Sequence, residues 1–344
     1  PADGSGCGAC SMSAPTASRR TTDLGQISAQ RSGLFGAAIL WIMLFHSSLS
    51  MDWPPLHLIK STGYAGVDVF FLLSGIGLFY SMEKDPSPRS FYKKRAVRVL
   101  LPFLLVALIY GGIRWAAGQI TGWQFLEELT LLSYWKRGDA TYWFIAAILV
   151  FYAVYPLLYR VISQRRYGIW GLLLAAAFAL AWLLYQNQPL FYRLNGFVFR
   201  IPVFLIGCFL APAVKSEKPL PTVPTLLLSA LTALVCWFLW VICPGSVWFL
   251  RMYLFIPLSI SLTVFGSVVL SFVRKESIFQ RFLLFFGGMT LELYLLHEKL
   301  LSFLTQWVFP NHAGTWEING LAFLLTVAGA WCLHRLCSAV SKRL

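Results

Sequence analysis

Charge is what this sequence has least of. Only 12% of its 344 residues are Asp, Glu, Lys or Arg, against about 25% in soluble domains. That shortage excludes an ordinary soluble globular protein. Also missing is the alternation of apolar and polar residues, in segments of about 10, that marks a membrane β-barrel. No convincing internal repeat is present, which weighs against the duplicated halves of many transporters. Residues 1–30 contain no apolar run of the kind a secretory leader needs. No polar stretch is long enough to form a soluble domain beside the apolar ones.

What remains is apolar and continuous. Hydrophobic residues make up 58% of the chain. A spanning helix takes roughly 20 mostly apolar residues, and helices satisfy their own backbone in lipid. Ten such runs are read, at about 33–50, 64–81, 99–117, 141–159, 168–185, 196–214, 222–243, 247–272, 282–308 and 317–337. The ninth is long enough to be kinked. The expected fold is an all-α polytopic membrane protein of about ten transmembrane helices.

The net charge of +14 then reads as topology rather than as nucleic-acid binding. With the N-terminus placed in the cytoplasm, twenty of the 28 Lys and Arg residues fall on that side. The positive-inside rule therefore puts both termini in the cytoplasm, with membrane lipid as a partner of the basic loops. Five of the seven cysteines lie in or beside the runs and read as small apolar residues. Cys7 and Cys10, in "CGAC", are weak evidence for metal or redox chemistry. They sit in a Gly/Ser-rich start, and residues 1–30 read as a disordered leader.

In such a chain an ionisable residue within a run is expensive and marks function. "ILWIMLFHSSLSMDW" puts His46 behind seven apolar residues, Ile39 to Phe45. "GYAGVDVFFLLSGIGLFY" puts Asp68 near the start of the next run, so Asp68 is the expected partner of His46. After the second run, "FYKKRAVRVLLP" sets Arg95 and Arg98 three apart on one helix face, suited to bidentate phosphate binding. Lys93 and Lys94 beside them read as lipid anchors. Arg200 lies in the sixth run and Glu292 in the ninth, with Tyr294 and His297 following. Arg200 or His297 would neutralise Glu292. His57, His312 and His334 receive no role. The segment "GQITGWQFLEELTLLSYWKRGDATYWF" reads as an amphipathic interfacial lid. No metal site is expected.

Taken in order, the terminal His of the first run, "GVDVFFLLSG", "FYKKRAVRVLLP", "YWFIAAILVFYAVYPLL", "RIPVFLIG" and "ELYLLH" resemble the acyltransferase 3 family of integral-membrane O-acyltransferases. The resemblance implies an acyltransferase 3-like domain over 31–344 in the cell (cytoplasmic) membrane. It implies an enzyme that moves acyl groups, commonly acetyl from acetyl-CoA, onto surface carbohydrates or lipid-linked acceptors. No cofactor would be permanently bound, since acyl-CoA is a co-substrate. His46 matches the family's essential histidine, and Arg95 and Arg98 its basic motif. Asp68 and Ser74 match polar positions of the second-run element, and Arg200 and His297 those of the sixth and ninth. Ser74, Arg200, Glu292 and His297 would then contact the acceptor or an oxyanion. Many members carry an Arg eleven residues before the histidine; here that position is Phe35 and the nearest upstream Arg is Arg31. The rival reading is a proton-coupled transporter of a small molecule or glycan precursor, because buried Asp, Glu, Arg and His also line such paths.

Overall fold

The computed structural model describes residues 22–342, except 311 and 313. In chain order it contains β1 (Thr22–Asp23), α1 (Gly25–Ala29), α2 (Arg31–His46), α3 (Pro54–Ser61), α4 (Ala65–Lys84) and α5 (Pro88–Ala116). There follow α6 (Gly122–Leu129), α7 (Leu132–Arg137), α8 (Trp143–Ser163), α9 (Tyr167–Gln186), α10 (Gln188–Val198) and α11 (Arg200–Lys215). The rest is β2 (Pro219–Leu220), α12 (Thr222–Ile242), α13 (Trp248–Met252), α14 (Phe255–Phe272), α15 (Ile278–Gly288), α16 (Thr290–Phe303) and α17 (Trp316–Ser341).

Every apolar run of the sequence is helical. Eight helices, some built from two consecutive segments, are long and apolar enough to cross a membrane. The ninth run is two helices, α15 and α16 with its terminal extension, bent by 78° at Met289. The first run, α2, is 16 residues, or about 24 Å at 1.5 Å per residue, shorter than a hydrocarbon core of about 30 Å. The chain is an all-α multi-pass membrane protein.

The ordered chain starts before the expected boundary at residue 31. Thr22–Asp23 pairs antiparallel with Pro219–Leu220, and Ile27 of α1 is buried. A strand pair satisfies the backbone there, so residues 22–30 belong to the fold; residues 1–21, with Cys7 and Cys10, lie outside the described residues.

Helix α4 is the centre of the bundle, enclosed along most of its length. It packs on α11 at small residues: a Cβ on Gly75 would come within 2.7 Å of the Phe204 carbonyl oxygen, and one on Gly207 would collide with the Leu72 carbonyl. Without a hydrophobic drive between helices in lipid, such close backbone approach is what holds them together. Contacts of Asp68 with Arg200 and of Leu72 with Gly207 show that α4 and α11 run parallel. Against α2, α4 runs antiparallel: Phe45 meets Gly63, Ile42 meets Gly66, Phe35 stacks on Phe70, and Arg31 reaches Gly77. This register puts Arg31 at one end of the bundle, called here the basic end, and His46 at the other.

Candidate active site

His46 is the last residue of α2. Its Nδ1 lies 2.7 Å from Glu298 Oε1. A carboxylate only accepts, so the neutral ring carries its proton on Nδ1 and a lone pair on Nε2. Glu298 stands on α16, next to His297, whose ring centroid is 5.1 Å from that of His46. The His297 Nδ1 donates to the backbone carbonyl of Tyr294 at 2.8 Å. Its buried Nε2 is therefore also a bare lone pair, and among the described residues nothing donates to it. Two imidazoles thus sit together, each with Nδ1 anchored and a lone pair on Nε2. Lys299, the next residue, is buried and donates to Thr141 of the segment before α8 at 3.2 Å.

Asp68 is not the partner of His46. By the α2–α4 register it lies near the level of Ile39, about two helical turns deeper, or roughly 10 Å at 1.5 Å per residue. Its carboxylate instead pairs with Arg200, Oδ2 to Nη2 at 3.2 Å, with both side chains buried. Because α4 and α11 run parallel, residues near their two N-termini arrive at one depth. Tyr64 and Trp143 cover the guanidinium, at 3.9 and 5.4 Å from its carbon to the ring centroids. Arg200 lines none of the cavities described below.

Glu292 is also displaced from its expected neighbourhood. It lies in the first turn of α16, at the basic end, and pairs with His334 Nδ1 of α17 at 2.9 Å. Neither Arg200 nor His297 reaches it: one helical turn and a half separate it from His297, and those five residues face different ways along α16.

Two cavities flank α16. The first, about 290 Å3, opens at the basic end. Arg31, Arg95 and Arg98 form its polar side, and Phe35, Phe144 and Tyr294 its apolar depth. Ser74 is in this wall, away from the histidines. Arg31 stands four residues before Phe35, hence on the same face of α2 one turn nearer the basic end. The cationic position absent from residue 35 is thus filled from one turn away. Thr290 and Leu291 bring the first turn of α16 to the same space, and no side chain caps that helix start. Three guanidinium groups and an uncapped helix start give this cavity a cationic lining. A larger space of about 720 Å3 adjoins it, sharing Arg98 and Thr290 and adding Lys93, Lys94 and Lys342. Lys93 and Lys94 therefore face a cavity, not only lipid.

The second cavity, about 340 Å3, holds His46 and His297. No residue lines both this cavity and the arginine-lined one. Between them stands Tyr294, 4.8 Å from Phe144 and 5.7 Å from His297 by ring centroids.

Over residues 36–335 the sequence matches the family model for an acyltransferase domain, that of acyltransferase 3. The chain belongs to the acyltransferase 3 family. Comparison with curated proteins and with solved structures gives no match. Membership makes the protein a membrane acyltransferase in general terms, and it sets the two cavities in a chemical context. Along α16 the acyltransferase has the arginine-lined cavity at the helix start and the histidine pair about two turns further on, at mid-helix. Sequence reasoning missed two of its parts. Glu298 was signalled by three consecutive ionisable residues, His297, Glu298 and Lys299, inside an apolar helix. Arg31 was signalled by its one-turn offset from Phe35.

The expected amphipathic segment is helical, but α6 packs on α5 and α7 on α10, and none of it lines the histidine cavity. Glu128 of α6 binds Arg114 at 2.9 Å, and Glu127 binds Lys136 at 2.6 Å and also Arg137. Arg193 donates to the Lys136 carbonyl at 3.0 Å, tying the segment to α10.

Proposed function

We propose that the protein transfers an acyl group, acetyl in the first instance, from cytoplasmic acyl-CoA to a hydroxyl of a cell-surface carbohydrate or related acceptor. The basic end faces the cytoplasm, as the loop charges require, and both termini lie there. The observation that carries this reading is the placement of two cavities along α16, an arginine mouth at its first turn and the His46–Glu298 pair about two turns further on. CoA is the donor that such a mouth suits: its phosphates meet Arg31, Arg95 and Arg98, with Lys93 and Lys94 in the adjoining space. Its thin pantetheine arm follows the aromatic depth toward Tyr294.

The acceptor hydroxyl gives its proton to His46 Nε2 as its oxygen attacks the thioester carbonyl. Glu298 holds the imidazolium that results, as an orienting carboxylate does in other hydrolytic and transfer sites. The tetrahedral intermediate collapses with cleavage of the C–S bond, and the CoA sulfur leaves with the proton from His46. No metal or resident cofactor is needed for this balance.

The test uses purified protein in lipid nanodiscs with radiolabelled acetyl-CoA and membranes from the producing cells. Acceptor-dependent release of CoA, with label retained in a macromolecular or lipid product, supports the reading. Uptake of an intact solute into proteoliposomes, with no thioester cleavage, replaces it by a transporter.

A further inference from the structure

We infer that the acceptor is a lipid-anchored alcohol, which enters the histidine cavity sideways from the bilayer. The inference rests on the acyltransferase reading and names the class of its acceptor. Helices α2 and α17 both pack on α16. The cavity is the cleft between them, with His297 and Leu301 of α16 as its floor. Leu40, Met43 and Leu44 form one wall, and Gly320 and Phe323 part of the other. Helix α17 is peripheral. Leu321, Leu324 and Leu325 are exposed on it, and Trp316, at the cavity rim, is 67% exposed. In a membrane such a cleft opens onto lipid, not onto water.

Its polar groups are concentrated around the histidines. His46 and His297 lie with Ser47 and Asn319, and apart from Thr326 the remaining wall is apolar. The His297 Nε2 is the decisive group. It is buried, it bears a lone pair, and nothing among the described residues donates to it. A hydroxyl next to the reacting one, whose own proton goes to His46 Nε2, satisfies it; a methylene chain satisfies the walls. A polysaccharide without a lipid would have to press many hydroxyls against Leu, Met and Phe side chains that accept no hydrogen bond. An alcohol with that second hydroxyl and an aliphatic tail meets both demands at once.

The experiment offers the nanodisc protein radiolabelled acetyl-CoA with either of two acceptor preparations. One is a total lipid extract of the producing cells; the other is delipidated polysaccharide from the same cells. Label should enter the lipid fraction and not the polysaccharide. Equal or faster labelling of the delipidated glycan overturns the inference and leaves the acyltransferase reading standing. Labelling of neither, with no CoA released, overturns both.

Gly320 provides the structural arm, because a Cβ there meets nothing within 4 Å and the helix accepts a larger side chain. Gly320→Phe should raise the KM for the lipid acceptor about tenfold against an unchanged KM for acetyl-CoA. Leu324→Phe, on the lipid-facing side of the same helix, should change neither. A rise in donor KM alone places the donor's acyl group in the cleft and refutes a lipid acceptor there. An unaltered acceptor KM in Gly320→Phe refutes the cleft as its route.

Discussion

Replacing Glu298 by Gln is the sharpest probe of the histidine pair, because it removes a charge and little else. In the wild type the carboxylate sits 2.7 Å from His46 Nδ1 and stabilises the imidazolium as it forms. A hydrogen bond to a charged group contributes about 1.5–3 kcal/mol, and a neutral one about 0.5–1.5. The charge difference is thus worth about 1–1.5 kcal/mol, or about tenfold in rate. The side chains are 28% and 42% exposed, so water already screens the pair, and the lower part of that range applies. A second effect adds to it. Gln can turn its amide NH2 toward Nδ1, which drives the His46 proton to Nε2 and removes the base. Together these lower kcat about 10- to 100-fold, with the KM for acyl-CoA unchanged. His46→Ala should cost about 10²- to 10⁴-fold, the usual range for a lost general base. The double variant should be no slower than His46→Ala alone, because the carboxylate acts only through the ring. Initial rates of CoA release measure all three proteins. If Glu298→Gln slows His46→Ala by a further tenfold, the two residues are not one unit and the mechanism proposed above is wrong.

Three further outcomes follow from the geometry. Asp68→Asn should destabilise the bundle by about 3–5 kcal/mol by leaving buried Arg200 unpaired; adding Arg200→Met should restore most of the thermal stability, whereas an acceptor role for Arg200 would leave the double variant stable but inactive. At the basic end, Arg31→Ala and Arg95→Lys should each raise the KM for acyl-CoA about tenfold or more through lost charge-assisted phosphate contacts; Lys93→Ala and Lys94→Ala should raise it by a smaller factor, and no change in either would return those lysines to lipid anchoring. The α6–α7 cover over α5 and α10 should respond to acid in two steps, read by hydrogen exchange. Burial raises the Glu128 carboxyl despite Arg114, so it takes up its proton first as pH falls, without loss of protection. The hydrogen bond from Lys136, with Arg137 beside it, holds Glu127 below the usual carboxylate range. The contribution of Glu127 is therefore complete above an ordinary glutamate pKa of about 4.3 and is lost only as pH falls through its depressed value. Glu127→Gln should loosen the cover already at neutral pH.

The helices were legible because hydropathy is a local property: each apolar run can be read without knowing its neighbours. His46 was legible for the same reason, as an ionisable side chain that its own run does not explain. Its partner was not. Asp68 was paired with His46 by counting residues from the ends of two runs, which assumes that both runs begin at the same level. The actual register is set by contacts such as Gly63 with Phe45 and Gly66 with Ile42. These slide Asp68 two turns deeper and hand it to Arg200, a residue 132 positions away in sequence. Glu298 needed a different kind of knowledge, the packing of α16 on α2, which no single segment encodes. The same holds for Glu292. It read as mid-span because the ninth run was taken as one straight helix, and the bend at Met289 makes it a first-turn residue beside His334.

That bend also explains how one short helix serves both cavities. A straight continuation of α15 would bury its mid-span amides in helix hydrogen bonds and have none to offer an anion. Breaking the helix at Met289 exposes a fresh N-terminus inside the bundle, beside Arg31, Arg95 and Arg98. Gly287 permits it, since a Cβ there would strike the Ser32 carbonyl at the start of α2. From Thr290 the helix then climbs about 10 Å to His297, at 1.5 Å per residue, with Tyr294 standing between the cavities on the way. Seven residues therefore separate the arginine mouth from the histidine nitrogens. A thioester on a thin arm can cover that distance past an aromatic side chain, whereas the phosphates that anchor it cannot follow. Under the proposed function, the break keeps the charged body of the donor at one face while its acyl group meets an acceptor at the other.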